Sequence, residues 1–197
     1  MATDTDARAR LVTAARELIA AQGVGATSPR QVLRASGVGQ GSLYHHFPTK
    51  HDLAAAAVGA TVDDALAAAR RDLDPGPDAD DDPVARVVAY LERPREALAG
   101  CKIGRLTSDQ AVMDDGTLHD VVTAYFVRLL DAVTATLREA DLPEDVARDR
   151  AHAAVAIVQG GYVLARATGD PDAMRAAVRG FVHVLTTGLA PDRQETA

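Results

Sequence analysis

Apolar residues recur along this chain at the spacing of α-helices, and alanine predominates where a strand would need β-branched residues. No segment of useful length alternates apolar and polar residues, which is the pattern of a half-buried strand. Gly23 and Gly25 mark the end of the first periodic segment, and Ser28 followed by Pro29 is typical of a helix N-cap with proline in the first turn. We therefore expect an all-α protein of about nine helices.

The predicted helices differ in length along the chain. They are expected at residues 6–22, 29–36, 40–47, 50–73, 84–99, 103–112, 118–140, 144–168 and 172–189. A loop at residues 74–83 is rich in aspartate and proline, but its aspartates lack the spacing of a calcium-binding loop. The change from short to long helices predicts a small head, residues 1–52, and a larger helical body, residues 53–197.

Two short helices joined by a glycine-containing turn are typical of a helix-turn-helix. The turn is Ser36–Gly39, and Val38, Leu43 and Phe47 are expected to hold the second helix against the head. The outward residues are then Gln40, Gly41, Ser42, Tyr44 and His45. This arrangement predicts a surface that touches another molecule.

The outward residue types suit DNA. Glutamine can bind adenine through two hydrogen bonds in the major groove, and Gly41 would let the backbone approach closely. Tyrosine and histidine suit phosphate oxygens, and Lys50 adds a positive charge at the start of the next helix. Thr27, Ser28 and Arg30 are expected to face the same DNA backbone.

Residues 10–55, above all SGVGQGSLYHHFPTKHDL (residues 36–53), resemble the DNA-binding head of TetR-family transcriptional regulators. The residues that carry this resemblance most specifically are Leu43, Tyr44, His46, Phe47 and Lys50. The resemblance implies a homodimeric repressor. It also implies that the third helix lies in the major groove and that the first turn of the fourth helix contacts phosphate.

Carried over position by position, the resemblance gives each residue of the head an expected role. Gln40, Gly41 and Ser42 would face bases, and Thr27, Ser28, Arg30, Tyr44, His45, His46 and Lys50 would contact phosphates. For His46 a packing role is an equally good interpretation. A metal site at His45 and His46 is not expected, because adjacent residues of a helix point about 100° apart.

The charge distribution is compatible with a DNA partner for the head alone. The chain carries a net charge of −7, but residues 1–52 hold six basic and four acidic side chains, a net +2, so that the remaining residues carry −9. Asymmetry of this kind hints at nucleic acid, and the acidic remainder disfavours tight non-specific binding.

Two segments of the body, Gly100–Phe126 and Gln159–Asp170, resemble the LmrA/YxaF-like branch of the same family. That resemblance implies a lipophilic or aromatic small-molecule effector. The residues expected to line its pocket are Tyr90, Leu106, Met113, Tyr125, Phe126, Gln159 and Tyr162. For each aromatic residue, ordinary core packing is an equally good interpretation.

The last two predicted helices carry apolar residues at helical spacing. In the family, these helices pair two subunits through a four-helix bundle. The residues expected in the dimer interface are Val155, Val158, Tyr162, Met174, Val178, Phe181, Val182 and Leu185. The same stripe could instead be the core of one subunit. Two heads on a twofold axis would require a palindromic operator.

Several other function classes find no support in the sequence. No apolar run is long enough to span a membrane, so we expect a cytoplasmic protein. The single cysteine, Cys101, excludes an internal disulfide and a cysteine-based zinc site, and a redox role for it stays open. Motifs of hydrolases, metalloproteases and phosphate-binding loops are absent, so no enzyme activity and no cofactor are expected.

The alternative to an effector-responsive repressor is a DNA-bound regulator that responds to a partner protein or to no ligand.

Overall fold

The computed structural model describes residues 4–74 and 82–187, and within these ranges the chain is helical without any strand. The helices are α1 (Asp4–Ala26), α2 (Pro29–Ser36), α3 (Gln40–His46), α4 (Lys50–Leu73), α5 (Pro83–Glu92), α6 (Gln110–Met113), α7 (Gly116–Arg138), α8 (Glu144–Thr168) and α9 (Asp172–Thr187), with a 3-10 helix at Gly104–Ser108. The prediction of an all-α fold with about nine helices is confirmed.

The described residues form two compact units. One contains the residues up to 67 together with 102–127, and the other contains residues 68–101 together with those from 128 onward. The long helices α4 and α7 each contribute residues to both units. The boundary predicted at residue 52 stays a prediction, and the first unit extends beyond it in sequence.

The core of the first unit forms where α1 packs against α2 and α3. Leu11, Val32 and Leu43 are almost fully buried there, and burial of a leucine or valine side chain contributes about 1.5–3 kcal/mol. Gly23, with a φ of 87°, kinks α1 just before the end of the helix. The chain can therefore turn into α2 without extending α1.

The core of the second unit is built mainly by α8 and α9. A Cβ atom placed on Gly161 would lie 3.3 Å from the Cα of Met174, so glycine lets the two helices approach closely and a larger residue would require Met174 to shift. Arg86 of α5 is buried, donates a hydrogen bond of 2.8 Å to the carbonyl of Leu73 and pairs with Glu139. Its charge is thereby compensated inside the unit.

Two predicted helices are shorter than the sequence pattern indicated. The helix expected to reach residue 99 ends at Glu92, because Pro94 forces Arg93 into extended backbone with a ψ of 135°. The helix expected at residues 103–112 is divided at Asp109, whose side chain accepts a hydrogen bond from the N–H of Ala111 and begins α6. Both differences arise from residues that favour helix ends.

Gly37 ends α2 in the left-handed conformation, with a φ of 64°, and its N–H donates to the carbonyl of Leu33. We predict that Gly37→Ala lowers the free energy of unfolding by about 1 kcal/mol, since alanine is strained at this φ. Gly41→Ala is the matched control, because no atom lies within 4 Å of the Cβ it would add. Urea denaturation of both variants measures the difference, and equal losses would contradict the prediction.

Candidate nucleic-acid interface

Helix α2 begins with a reciprocal pair of hydrogen bonds. The hydroxyl oxygen of Ser28 accepts from the N–H of Gln31 at 3.3 Å, and the side-chain oxygen of Gln31 accepts from the N–H of Ser28 at 2.8 Å. Pro29 occupies the first turn, where its missing N–H leaves no bond unmade. The start of α2 is thus fixed by local chemistry, as the sequence predicted.

The turn after α2 is held from two sides. The guanidinium group of Arg10 donates to the carbonyl of Ser36, and the N–H of Val38 donates to the Ser36 hydroxyl at 3.3 Å. Gly39 then begins α3 in extended backbone, with a ψ of 151°. This geometry places α3 after a short turn, as in a helix-turn-helix.

Helix α3 is anchored through one side only. Leu43 and the following Phe47 are 2% and 4% exposed, respectively. The guanidinium carbon of Arg8 lies 5.3 Å from the centre of the Phe47 ring, within the range of a cation–π contact. Gln40, Gly41, Tyr44 and His45 of this seven-residue helix are exposed.

None of the residues predicted to face bases is buried. Gln40 and Gly41 are exposed and Ser42 is half-buried. An added Cβ on Gly41 would have no neighbour within 4 Å, so the backbone of α3 is open to approach at this point. The structure brings these three residues together in the first turn of one helix.

The residues predicted to contact phosphate differ in their exposure. Arg30, Tyr44, His45 and Lys50 are exposed, and the ammonium group of Lys50 donates to the carbonyl of Gly25 at 3.2 Å. Ser28 is half-buried in the hydrogen bonds that cap α2. Thr27 is buried, and its hydroxyl donates to the carbonyl of Gly23 at 2.6 Å. Thr27 therefore binds the end of α1, a contact that its sequence position did not indicate.

His46 lies between the exposed and the buried side of α3. It is half-buried, and its ring centre is 5.2 Å from that of His45 and 6.3 Å from that of Phe47. These ring contacts favour the packing interpretation of His46. Among the residues that the structure describes, no group of three or more histidine, cysteine or acidic side chains could hold a metal ion.

Comparison with known families agrees with this geometry. Residues 11–57 match the family model of bacterial regulatory proteins of the tetR family, and residues 83–180 match the C-terminal domain of LmrA/YxaF-like transcriptional regulators. The chain belongs to the TetR family. It is a transcriptional regulator with a DNA-binding helix-turn-helix, and the resemblance to the LmrA/YxaF-like branch is confirmed.

Individual TetR-family relatives match along most of the chain. The HTH-type transcriptional regulator YxaF of Bacillus subtilis is 26% identical over 177 residues, which cover 86% of this chain and 90% of YxaF. LmrA of the same organism is 25% identical over 166 residues, covering 81% of this chain and 86% of LmrA. A TetR-family regulator from Agrobacterium tumefaciens superposes with a TM-score of 0.78 at 25% identity, covering 92% of this chain and 98% of that one.

The head of this TetR-family protein also makes contacts with residues 105–115 that were not predicted from the sequence. The carboxylate of Asp109 accepts hydrogen bonds from the N–H groups of Val24 and Gly25, at 2.5 and 3.4 Å, and Arg105 donates to the carbonyl of Ala20. His51 lies 3.1 Å from the carboxylate of Asp115. The ends of α1 and α4 that flank the helix-turn-helix are therefore tied to residues 105–115 of the same unit. The sequence pattern placed Asp109 inside a predicted helix at residues 103–112 and gave no sign of these contacts.

The residues predicted to line an effector pocket lie in both units. In the first unit, Leu106 and Tyr125 are buried, Phe126 is half-buried and Met113 is 37% exposed. In the second unit, Tyr90 is 2% exposed, and burial raises the pKa of its phenol and that of Tyr162. Gln159 contacts the sulfur of Cys101 at 3.6 Å. Their role as ligand contacts stays a prediction.

A cavity of about 410 Å³ lies in the second unit, between the segment that ends α5 and the first half of α9. None of the seven predicted pocket residues lines it. Its walls include Met174 and Val178, two residues that the sequence assigned to the dimer interface. A pocket of this volume falls within the range of small-molecule sites.

The residues predicted for the dimer interface are divided between the inside and the outside of the second unit. Val155, Val158, Met174, Val178 and Leu185 are buried within one chain, whereas Tyr162, Phe181 and Val182 are half-buried. Two exposed valines were missed, Val163 at 67% and Val184 at 65%. Among the described residues, no helix is long and apolar enough to cross a membrane.

The carboxylate of Asp115 accepts a hydrogen bond from the N–H of Leu118 at 3.0 Å, and chiefly for this reason its pKa is lowered from the usual 3.8, with His51 adding to the effect. A lowered pKa in the folded state stabilises the protein above the unfolded-state pKa, and this stabilisation is lost as pH falls through the folded-state pKa.

We therefore predict that Asp115→Asn is less stable than the parent chain at neutral pH, and that this difference shrinks as pH falls below 3.8. Urea denaturation of both proteins across this pH range checks the prediction. Asp120→Asn, a change of the same charge at an exposed position of α7, is the control. A difference in stability between Asp115→Asn and the parent chain that does not vary with pH would contradict the prediction.

Proposed function

We propose that this TetR-family regulator is a homodimeric repressor that binds a palindromic operator and is released from it by a hydrophobic small molecule. The observation that carries the proposal is the anchoring of α3 by Leu43 and Phe47, with Gln40, Gly41 and Tyr44 left exposed. Such a helix can enter the major groove as a rigid unit. Operator gel shifts with the purified chain and DNA from its own gene region test the proposal.

In this proposal, two sets of exposed residues contact different parts of the DNA. Gln40, Gly41 and Ser42 meet base edges, and the glutamine side chain discriminates by pairing with adenine. Arg30, Tyr44, His45 and Lys50 contact phosphates and set the register of the helix without reading sequence. The phosphate contacts of Lys50 would replace its hydrogen bond to the Gly25 carbonyl.

The homodimer is supported by an apolar face that the second unit leaves uncovered. On α8 this outer face consists of residues spaced by three or four positions, all exposed or half-buried and none charged: Ala153, Ala156, Ile157, Gly160, Val163, Leu164 and Ala167. Ala177, Phe181 and Val184 continue it on α9. A helix that is apolar on both sides is normally buried on both sides. A second copy of this chain is the partner that the twofold symmetry of an operator requires.

Release by an effector follows from differential affinity. A ligand that binds more tightly to the conformation with lower operator affinity lowers operator binding, at most by the ratio of its affinities for the two conformations. The LmrA/YxaF-like C-terminal domain supports this part of the proposal. The alternative, a regulator that responds to a partner protein or to no ligand, gains support if no lipophilic compound releases DNA in gel shifts.

We predict that two substitutions on α3 affect DNA binding differently, one reducing sequence discrimination and the other reducing affinity for all operators. Gln40→Ala should reduce discrimination by about 1–3 kcal/mol at one base pair, because it removes a paired contact to a base. Tyr44→Phe should weaken binding to all operators and leave sequence preference unchanged, because it removes a phosphate contact. Gel shifts on the cognate operator and on a set of single-base variants distinguish the two. Equal losses of Gln40→Ala on cognate and scrambled DNA would refute its role as a base reader.

We predict that Val163→Asp weakens dimerisation about tenfold or more, since it would bury an unpaired carboxylate in the proposed interface. The side chain is 67% exposed in one chain, so the fold should not change. Val127→Asp on α7, where valine is 49% exposed, is the matched control. Sedimentation equilibrium measures the dimerisation constant, and circular dichroism confirms folding. A dimer as stable as that of the control would contradict this interface.

A further inference from the structure

The cavity between the end of α5 and the first half of α9, here called the α5–α9 pocket, has an apolar floor. Leu91, Ala97, Met174 and Val178 line it, and each of these residues is at most 6% exposed. At about 410 Å³ the pocket can hold a small organic molecule. The floor alone would suit any apolar group.

The remaining walls of the pocket are strongly basic. Arg93, Arg95, Arg175 and Arg179 all line it, and Glu92 is the single acidic residue in the lining. Arg93 lies 3.1 Å from the carboxylate of Asp72, and Arg175 pairs with Asp172. Arg95 and Arg179 have no carboxylate partner among the described residues. Two positive charges in the lining are thus left uncompensated by acidic side chains.

Arg95 is held in place by the end of α5. Its Nη1 atom donates to the carbonyls of Leu91 and Arg93, at 2.7 and 2.9 Å, and its Nη2 atom donates to the carbonyl of Tyr90 at 2.6 Å. The guanidinium carbon lies 5.3 Å from the centre of the Tyr90 ring. The side chain therefore loses little further conformational freedom when it binds a ligand.

These bonds do not use all the donors of Arg95. A guanidinium group has five N–H bonds; three donate to these carbonyls and another hydrogen bond joins Arg95 to the Tyr90 hydroxyl, so one N–H remains for a ligand. A remaining N–H of a guanidinium group can donate a charge-assisted hydrogen bond to a carboxylate. The chemistry of the pocket therefore combines an apolar floor with a preorganised group for an anion.

We infer that the α5–α9 pocket binds an amphipathic organic anion, with a carboxylate at Arg95 and Arg179 and an apolar body against Leu91, Met174 and Val178. Neutral molecules of the same shape are selected against, because they would desolvate the arginine side chains without compensating their charge. Binding to the pocket is independent of any role in transcription. The identification of this anion as the effector rests on the proposed function.

Calorimetric titration of the full chain with matched ligand pairs tests the inference: octanoate against octanol, and naphthoate against naphthamide. We expect both carboxylates to bind, with affinities at least about tenfold higher than those of their neutral partners and decreasing with added salt. Binding of the neutral molecules with equal affinity, or failure of both carboxylates to bind, would overturn the inference.

Charge variants locate the binding. Arg179→Glu, at an exposed position, should lower the affinity for both carboxylates about tenfold or more, whereas Arg128→Glu, an exposed charge reversal on α7, should not change it. Arg95→Gln should reduce binding as well, with circular dichroism to confirm that α5 is retained. Unchanged affinity in Arg179→Glu and in folded Arg95→Gln would overturn the inference.

Gel shifts with the same preparations separate the pocket from the proposed function. If the carboxylates bind and depend on Arg179, the pocket is supported even when operator affinity is unchanged by them, and only the effector role is lost. If the chain binds no operator, the proposed repressor function fails without any effect on the calorimetric result. Release of the operator by the carboxylates, lost in Arg179→Glu, would support both.

Discussion

The burial of Leu43 and Phe47 is the constraint on which the DNA-binding head depends. A helix of seven residues is not stable in water by itself, so α3 exists because these two side chains pack into the core formed with α1. The hydrogen bond from Arg10 to the Ser36 carbonyl and the left-handed Gly37 fix how the chain enters α3. Because these two anchors hold the helix, Gln40, Gly41 and Tyr44 can stay exposed.

Features encoded by neighbouring residues could be predicted from the sequence. The start of α2 at Ser28 and Pro29 depends on hydrogen bonds over three positions, and α8 has the bounds that its apolar spacing indicates. Contacts between distant residues could not be predicted in this way. Asp109 binds the N–H of Val24, which is 85 positions away, and Arg105 donates to the carbonyl of Ala20, which is equally distant in sequence. Nothing in the local pattern specifies these partners.

The body shows why an apolar stripe does not by itself reveal an interface. On α8, Val155 and Val158 pack inside one chain, while Val163 and Leu164 face outward on the same helix. Apolar residues of both sets recur at helical spacing, so periodicity alone does not tell which set is buried in one chain and which faces a partner. The pocket could not be predicted from residue type either. The sequence analysis chose aromatic residues such as Tyr90 and Tyr125, whereas the pocket between α5 and α9 is lined by arginines and aliphatic side chains.

The open space around Gly41 has a consequence for how regulators of this kind diversify. Since no atom lies within 4 Å of the Cβ that a substitution would add, and since Gln40 and Tyr44 are also exposed, the outer positions of α3 can be exchanged without disturbing Leu43 or Phe47. If these positions read bases, as proposed, mutations that retarget the head to new genes need not be accompanied by compensating changes in its core. After gene duplication, new binding preferences could therefore accumulate at these positions one substitution at a time.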